Sequence, residues 1–202
     1  MALVKTLPYF SIEDLISFEK NKHYLKILFS RYEKSGKLIR LKKGMYVTKE
    51  YVDDLEKQGK ISTFLEFLSE ILYSPSYLSL EYVLYQHNLL TEIPKNFTAI
   101  TKKKTTFFSN KFGNFFYHKI KDKLFYGFET IKEGDFIIFK ARKAKALFDF
   151  LYLRKNEILN EDSFKELRLN LREISKKDKK ELENFIKLDG SKKMKKILSF
   201  IF

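Results

Sequence analysis

The spacing of apolar residues changes twice along this chain, and those changes restrict the fold more than any other feature. Phe64, Leu65, Leu68, Ile71 and Leu72 recur at helical spacing and predict a helix over 61–73, which Ser74-Pro75-Ser76 breaks. Ser79 is placed to cap a second helix reaching about Asn88, with Leu80, Val83, Leu84 and His87 on one side. After Pro94 the period shortens. Residues 97–101, 105–108, 114–120, 124–128 and 135–139 are short, aromatic and β-branched, with turns at 110–113 and at Glu133-Gly134, and they predict one small antiparallel sheet. From Lys143 the helical period returns. Residues 144–153 are apolar nearly all round and predict the most buried helix; Phe164, Leu167, Leu171 and Ile174 predict an amphipathic one. Ser175 with Asp178 forms a capping-box pattern for a further helix, and Met194, Ile197, Leu198 and Ile201 mark the last. Helices and strands in separate runs are the pattern of an α+β fold.

The front of the chain has a different organisation. Ser11 to Phe18 reads as a short helix with Ile12, Leu15, Ile16 and Phe18 turned inward, and 22–34 as a longer one resting on Tyr24, Leu25, Leu28 and Tyr32. Gly36 can end that helix because it takes positive φ without steric cost, and Gly44 can turn one short strand into the next. Short helix, basic helix and basic ribbon, in that order, are the parts of a winged helix-turn-helix over residues 1–50. The first helix of such a domain is not evident in residues 1–10. The DNA-facing set would be Lys22, Lys26 and Arg31 on the helix and Lys37, Arg40, Lys42 and Lys43 on the ribbon. Residues 50–60 read as a polar connection, with or without a helical turn, into a mixed domain spanning 51–202.

The formal net charge is +14, so a polyanion is the expected partner, because neutralised phosphates release counterions. The 21 Phe and 12 Tyr supply core material for a globular chain. There is no cysteine, which excludes disulfides, thiolate metal sites and cysteine nucleophiles and agrees with a reducing compartment. No apolar run approaches membrane-spanning length and no leader pattern is visible; a cytoplasmic protein is expected.

Four stretches, in order, carry a resemblance: Gly36-Lys37-Leu38-Ile39-Arg40-Leu41-Lys42-Lys43-Gly44-Met45-Tyr46-Val47; the segment 75–89 with Tyr77-Leu78-Ser79-Leu80-Glu81-Tyr82 and His87-Asn88-Leu89; residues 97–104 leading to Phe116-Tyr117-His118-Lys119-Ile120; and 144–153. Over about residues 10–155 the chain resembles the AbiEi family, the antitoxins of abortive-infection (type IV) toxin–antitoxin systems. The resemblance implies a winged helix that binds repeats in the promoter of its own operon and represses it. It also implies a C-terminal domain that counters a cognate nucleotidyltransferase toxin with no need of a stable complex. A palindromic operator would suggest two bound copies, which need not dimerise, so a monomer in solution is compatible with this reading. Two departures stand out: the front is short, and the family's His-Gly-Leu element has Asn88 in place of glycine. An interaction protein that inhibits a partner enzyme through the C-terminal domain is the alternative.

Lys102, Lys103, Lys104 and Lys119 suggest a second nucleic-acid surface, beside aromatic residues that could stack on bases. His23, His87 and His118 lack metal-ligand spacing, and no nucleophile elbow or glycine-rich phosphate loop appears. The strand 135–140 has Ile138 where a nuclease would need a carboxylate. No catalytic residue, metal or cofactor is expected.

Overall fold

The computed structural model describes residues 4–201. Among them are eight α-helices, a two-stranded antiparallel ribbon and a six-stranded mixed sheet, an α+β arrangement. No helix is long and apolar enough to cross a membrane.

The chain enters through a short stretch in which Phe10 and Tyr46 exchange backbone hydrogen bonds of 2.8 and 2.9 Å. The helix expected over 11–18 is only a 3-10 turn, Glu13–Leu15, and Phe18 is exposed. Ser11 and Asp14 bond each other, but too few apolar residues follow to bury a full helical face. Helix α1 (Lys22–Lys34) starts at Asn21, whose side chain accepts from the Tyr24 amide. Its buried residues are Leu25 and Phe29, so the inward stripe is rotated from the predicted one and Tyr24 faces water. Strands β1 (Leu38–Lys42) and β2 (Met45–Thr48) form the expected ribbon, with Gly36 at φ 73° and Gly44 at φ 81°.

The connection expected over 50–60 is more than a helical turn: most of it lies in helix α2 (Lys49–Lys57), capped by Thr48 and anchored by Val52 and Leu55. Two apolar residues three apart are a weak signal in a nine-residue stretch; their burial decides it. Helix α3 (Ile61–Leu72) follows as predicted. The supposed breaker is in part strand β3 (Ser76–Leu78), and helix α4 (Leu80–Gln86) comes next.

The sheet is built from β3, β4 (Phe97–Thr101), β5 (Thr106–Asn110), β6 (Gly113–Lys119), β7 (Phe128–Glu133) and β8 (Phe136–Ala141), in the order β5-β6-β4-β3-β8-β7. It is mixed, which corrects the antiparallel expectation: β4 pairs in parallel with β6, and β3 with β8. The tight β5–β6 hairpin folds back so that β6, and not β5, lies against β4. Residues 124–128 are not the predicted strand; a 3-10 turn at Asp122–Leu124 leads instead into β7.

Helices α5 (Lys143–Arg154), α6 (Glu161–Lys165), α7 (Lys176–Asp189) and α8 (Lys192–Ile201) complete the fold. Helix α5 is buried from Ala144 to Leu151, as expected, and the Ser175–Asp178 capping box is present. The amphipathic helix expected through Ile174 ends after α6, where Arg168 takes φ 51° and a 3-10 turn at Leu171–Glu173 replaces the remaining turns.

The two faces of the sheet carry different partners. Ala99, Phe115, Tyr117 and Phe136 share a core with Phe64, Leu68 and Leu72 of α3. Ile39, Leu41 and Val47 of the ribbon belong to the same core, and residue 50 lies within α2. Tyr77, Ile100 and the helices α4, α5, α7 and α8 form the larger core. A third, small cluster joins Phe10, Leu25, Phe29, Leu38 and Tyr46.

Candidate nucleic-acid interface

The residues expected to meet DNA fall into four environments. Lys26 and Arg31 are exposed on α1, and Arg40 and Lys43 on the ribbon; none of the four has an ion pair or a side-chain hydrogen bond among the described residues. Lys22 is exposed but pairs with Glu13 at 2.8 Å. Lys37 lies over the Tyr32 ring in a cleft shared with Glu50, Asp53 and Asp54. Those three carboxylates pair with Lys5, Lys49 and Lys57, so this cleft is close to charge-balanced.

Lys42 is a different case. A register shift between Arg40 and Lys42 turns it towards α3, where its ammonium donates to the carbonyls of Leu72 at 2.8 Å and Ile71 at 3.4 Å. A cation on the last carbonyls of a helix offsets the negative end of its dipole. Burial, and secondly Lys103 nearby, lower the pKa of Lys42. It is half-buried and already bonded, and therefore poorly placed to reach a phosphate.

Of the ribbon cations, Arg40 lies beside α1. Alternation along β1 sets Leu38 and Arg40 on one face and Ile39 and Leu41 on the other. Leu38 joins the α1 cluster, which gives Arg40 the α1 side. Arg40 also lines a groove of about 300 Å³ with Glu33 of α1 and with Lys111, at the β5–β6 turn. The same turn is tied to the ribbon by Asn110, whose amide donates to the Leu41 carbonyl at 3.0 Å. Lys111 was not in the expected set. Only tertiary contact brings it to Arg40, 71 positions earlier in the chain by their numbers.

The second expected surface divides as well. Lys103 sits 5.2 Å from the centre of the Tyr73 ring, on the α3 face, while Lys102 sits 5.1 Å from that of Phe125, a member of the larger core's periphery. Lys104 and Lys119 are exposed at the end of the β5–β6 hairpin, where the Lys119 amide donates to Thr105 Oγ1 at 3.0 Å. Most of the neighbouring rings are core: Phe115 and Tyr117 are fully buried and Phe108 leans on Tyr117. Phe107 is 62% exposed.

The buried polar groups serve the scaffold. Glu66 on α3 accepts from the Tyr82 hydroxyl at 2.9 Å, the Gln86 amide at 2.8 Å and the Lys140 ammonium at 2.8 Å, tying α3 to α4 and β8. The nuclease-like strand thus does acquire a carboxylate beside Lys140, but from another element and fully engaged. Among the described residues no three histidine or carboxylate side chains converge as metal ligands would. No protein-family model matches the chain, and no curated protein does.

Proposed function

We propose that this chain is a non-catalytic, duplex-DNA-binding antitoxin of the cytoplasm, which represses its own toxin–antitoxin operon and counteracts a cognate nucleotidyltransferase toxin. In this reading α1 and the β1–β2 ribbon are the recognition helix and wing of an abbreviated winged helix, in which the Phe10–Tyr46 pairing takes the part of the third wing strand. The observations that support it best are the exposed, unpaired cations Lys26 and Arg31 on the helix and Lys43 on the ribbon, and the groove in which Arg40 of the ribbon meets Lys111 of the turn beside it. Phosphate contacts of this kind position a protein on a duplex, and the exposed His23, Ile27 and Ser30 of α1 are the groups available to read base edges. The antitoxin half rests on the ordered sequence resemblance.

Anisotropy titration of a labelled fragment carrying the repeats upstream of the gene, against a scrambled fragment at physiological salt, tests the repressor half. Preference for the promoter supports it; equal affinity overturns it. Reversal of charge at Arg40 and Lys43 together weakens binding and lowers the salt dependence by about one unit per lost contact. Unchanged affinity removes the ribbon from the interface. Co-expression with the neighbouring gene's product tests the antitoxin half: growth arrest that this chain fails to relieve overturns it.

A further inference from the structure

Phe107 lies on edge strand β5 with 62% of its surface in water, stacked at 5.9 Å and 23° on Phe116 of β6. Its neighbour Phe108 packs on Tyr117, in the core that the ribbon and α3 share. Strand alternation therefore turns Phe107 and Phe116 to the opposite face of the sheet, away from the ribbon. His118 follows Phe116 on that face, near Glu81 and Arg154, which pair with each other.

An exposed aromatic pair on an open sheet face can receive a protein or a nucleobase, and the charge around it discriminates. From Ile93 to Lys121 the chain contains seven lysines and no carboxylate. Lys104 and Lys119 stand at one end of the β5–β6 hairpin and Lys111 at its turn, all exposed. A ring with cations beyond both ends of its strand is arranged for a chain that offers a stackable base between phosphates. Duplex DNA hides its base faces; a single strand does not.

We infer that the outer face of the β5–β6 hairpin is a binding site for single-stranded nucleic acid, with a base stacked on Phe107 and flanking phosphates on Lys104 and Lys111. This site shares Lys111, at the hairpin turn, with the duplex surface of the proposed repressor, but its stacking position, Phe107, is not part of that surface.

The chain contains no tryptophan, so Phe107→Trp introduces a single selectively excited fluorophore at the proposed stacking position. Titration of the full-length variant with oligo(dT) and oligo(U) quenches that emission if a base stacks on it, and the stronger of the two titrations tells DNA from RNA. In the wild-type background, Phe107→Leu keeps an apolar side chain but loses the stack. It weakens single-strand binding about tenfold, as loss of one base–aromatic contact does, and leaves promoter-duplex affinity unchanged. Arg40→Glu with Lys43→Glu does the reverse. Three results overturn the inference: no binding of either oligonucleotide by the wild type, binding without quenching, or a Phe107→Leu affinity within twofold of wild type. Copurification of a protein that depends on Phe107, without oligonucleotide binding, also overturns it and assigns the face to a protein partner.

Discussion

The Lys145 ammonium lies 2.6 Å from a carboxylate oxygen of Asp149, one turn further along α5, and neither side chain is exposed to water. Burial lowers the pKa of Lys145 and raises that of Asp149, the two directions that would neutralise the pair. The surroundings oppose neutralisation. Asp149 also accepts from Tyr77 at 3.0 Å and from Ser79 at 2.8 Å, while Lys145 donates to the Leu124 carbonyl and faces four aromatic rings. These bonds favour the ionised pair. They also explain why Ser79, which precedes α4, does not cap it: its hydroxyl is committed to Asp149.

Breaking this pair from one side leaves a buried charge without its partner. Lys145→Met is expected to cost about 3–5 kcal/mol of stability, read from urea unfolding. The double change Lys145→Met with Asp149→Leu should cost clearly less than the sum of the two single changes. Simple additivity would mean that the two residues act independently.

Lys42 and Arg40 should separate cleanly. Lys42→Met removes a cation from the carbonyl end of α3 and is expected to cost about 1 kcal/mol of stability with little change in duplex affinity. Arg40→Glu should leave the melting temperature nearly unchanged and weaken DNA binding. If Lys42→Met proves the more damaging to DNA binding, the division drawn between these neighbours is wrong.

Asn88 sits at φ 57°, in the left-handed region that asparagine tolerates better than other side chains. Asn88→Gly should be close to neutral, and Asn88→Val should cost about 1–2 kcal/mol, measured by thermal melts of the two variants side by side. Equal melting temperatures would show that the turn relaxes around a branched residue.

Burial lowers the pKa of both His87 and His118 from the usual value of 6.5. The folded protein therefore binds fewer protons than the unfolded chain just below that pH, and stability falls with acidification. The histidine contribution is fully present above pH 6.5, is lost progressively below it, and levels off under the folded pKa. Urea midpoints across that range should fall, and His87→Gln with His118→Gln should flatten the slope. An unchanged slope would transfer the acid sensitivity to carboxylates.

Strong local signals survived into the structure. Gly36 and Gly44 gave the ribbon, the unbroken apolar stretch gave α5, and Ser175 with Asp178 gave the start of α7, because each is decided within a few residues of itself. What escaped is decided at a distance. Three residues of β3 carry no period and are a strand only because β4 and β8 flank them. The parallel pairing of β4 with β6 depends on where the intervening hairpin folds back. In the candidate site, residue type suggested cations, but not that the shift after Arg40 would commit Lys42 to α3 or that a distant turn would supply Lys111.

The apolar underside of the ribbon has a consequence for how the protein is made. Ile39 and Val47 emerge early in synthesis, yet the core that receives them is completed by Tyr117 and Phe136. The ribbon, complete at Thr48, must wait until Phe136 is made, a non-local closure of the kind that slows folding. A nascent chain interrupted before Phe136 carries the cations of the ribbon without the core on which the ribbon rests, so under the proposed function duplex binding arrives late in translation.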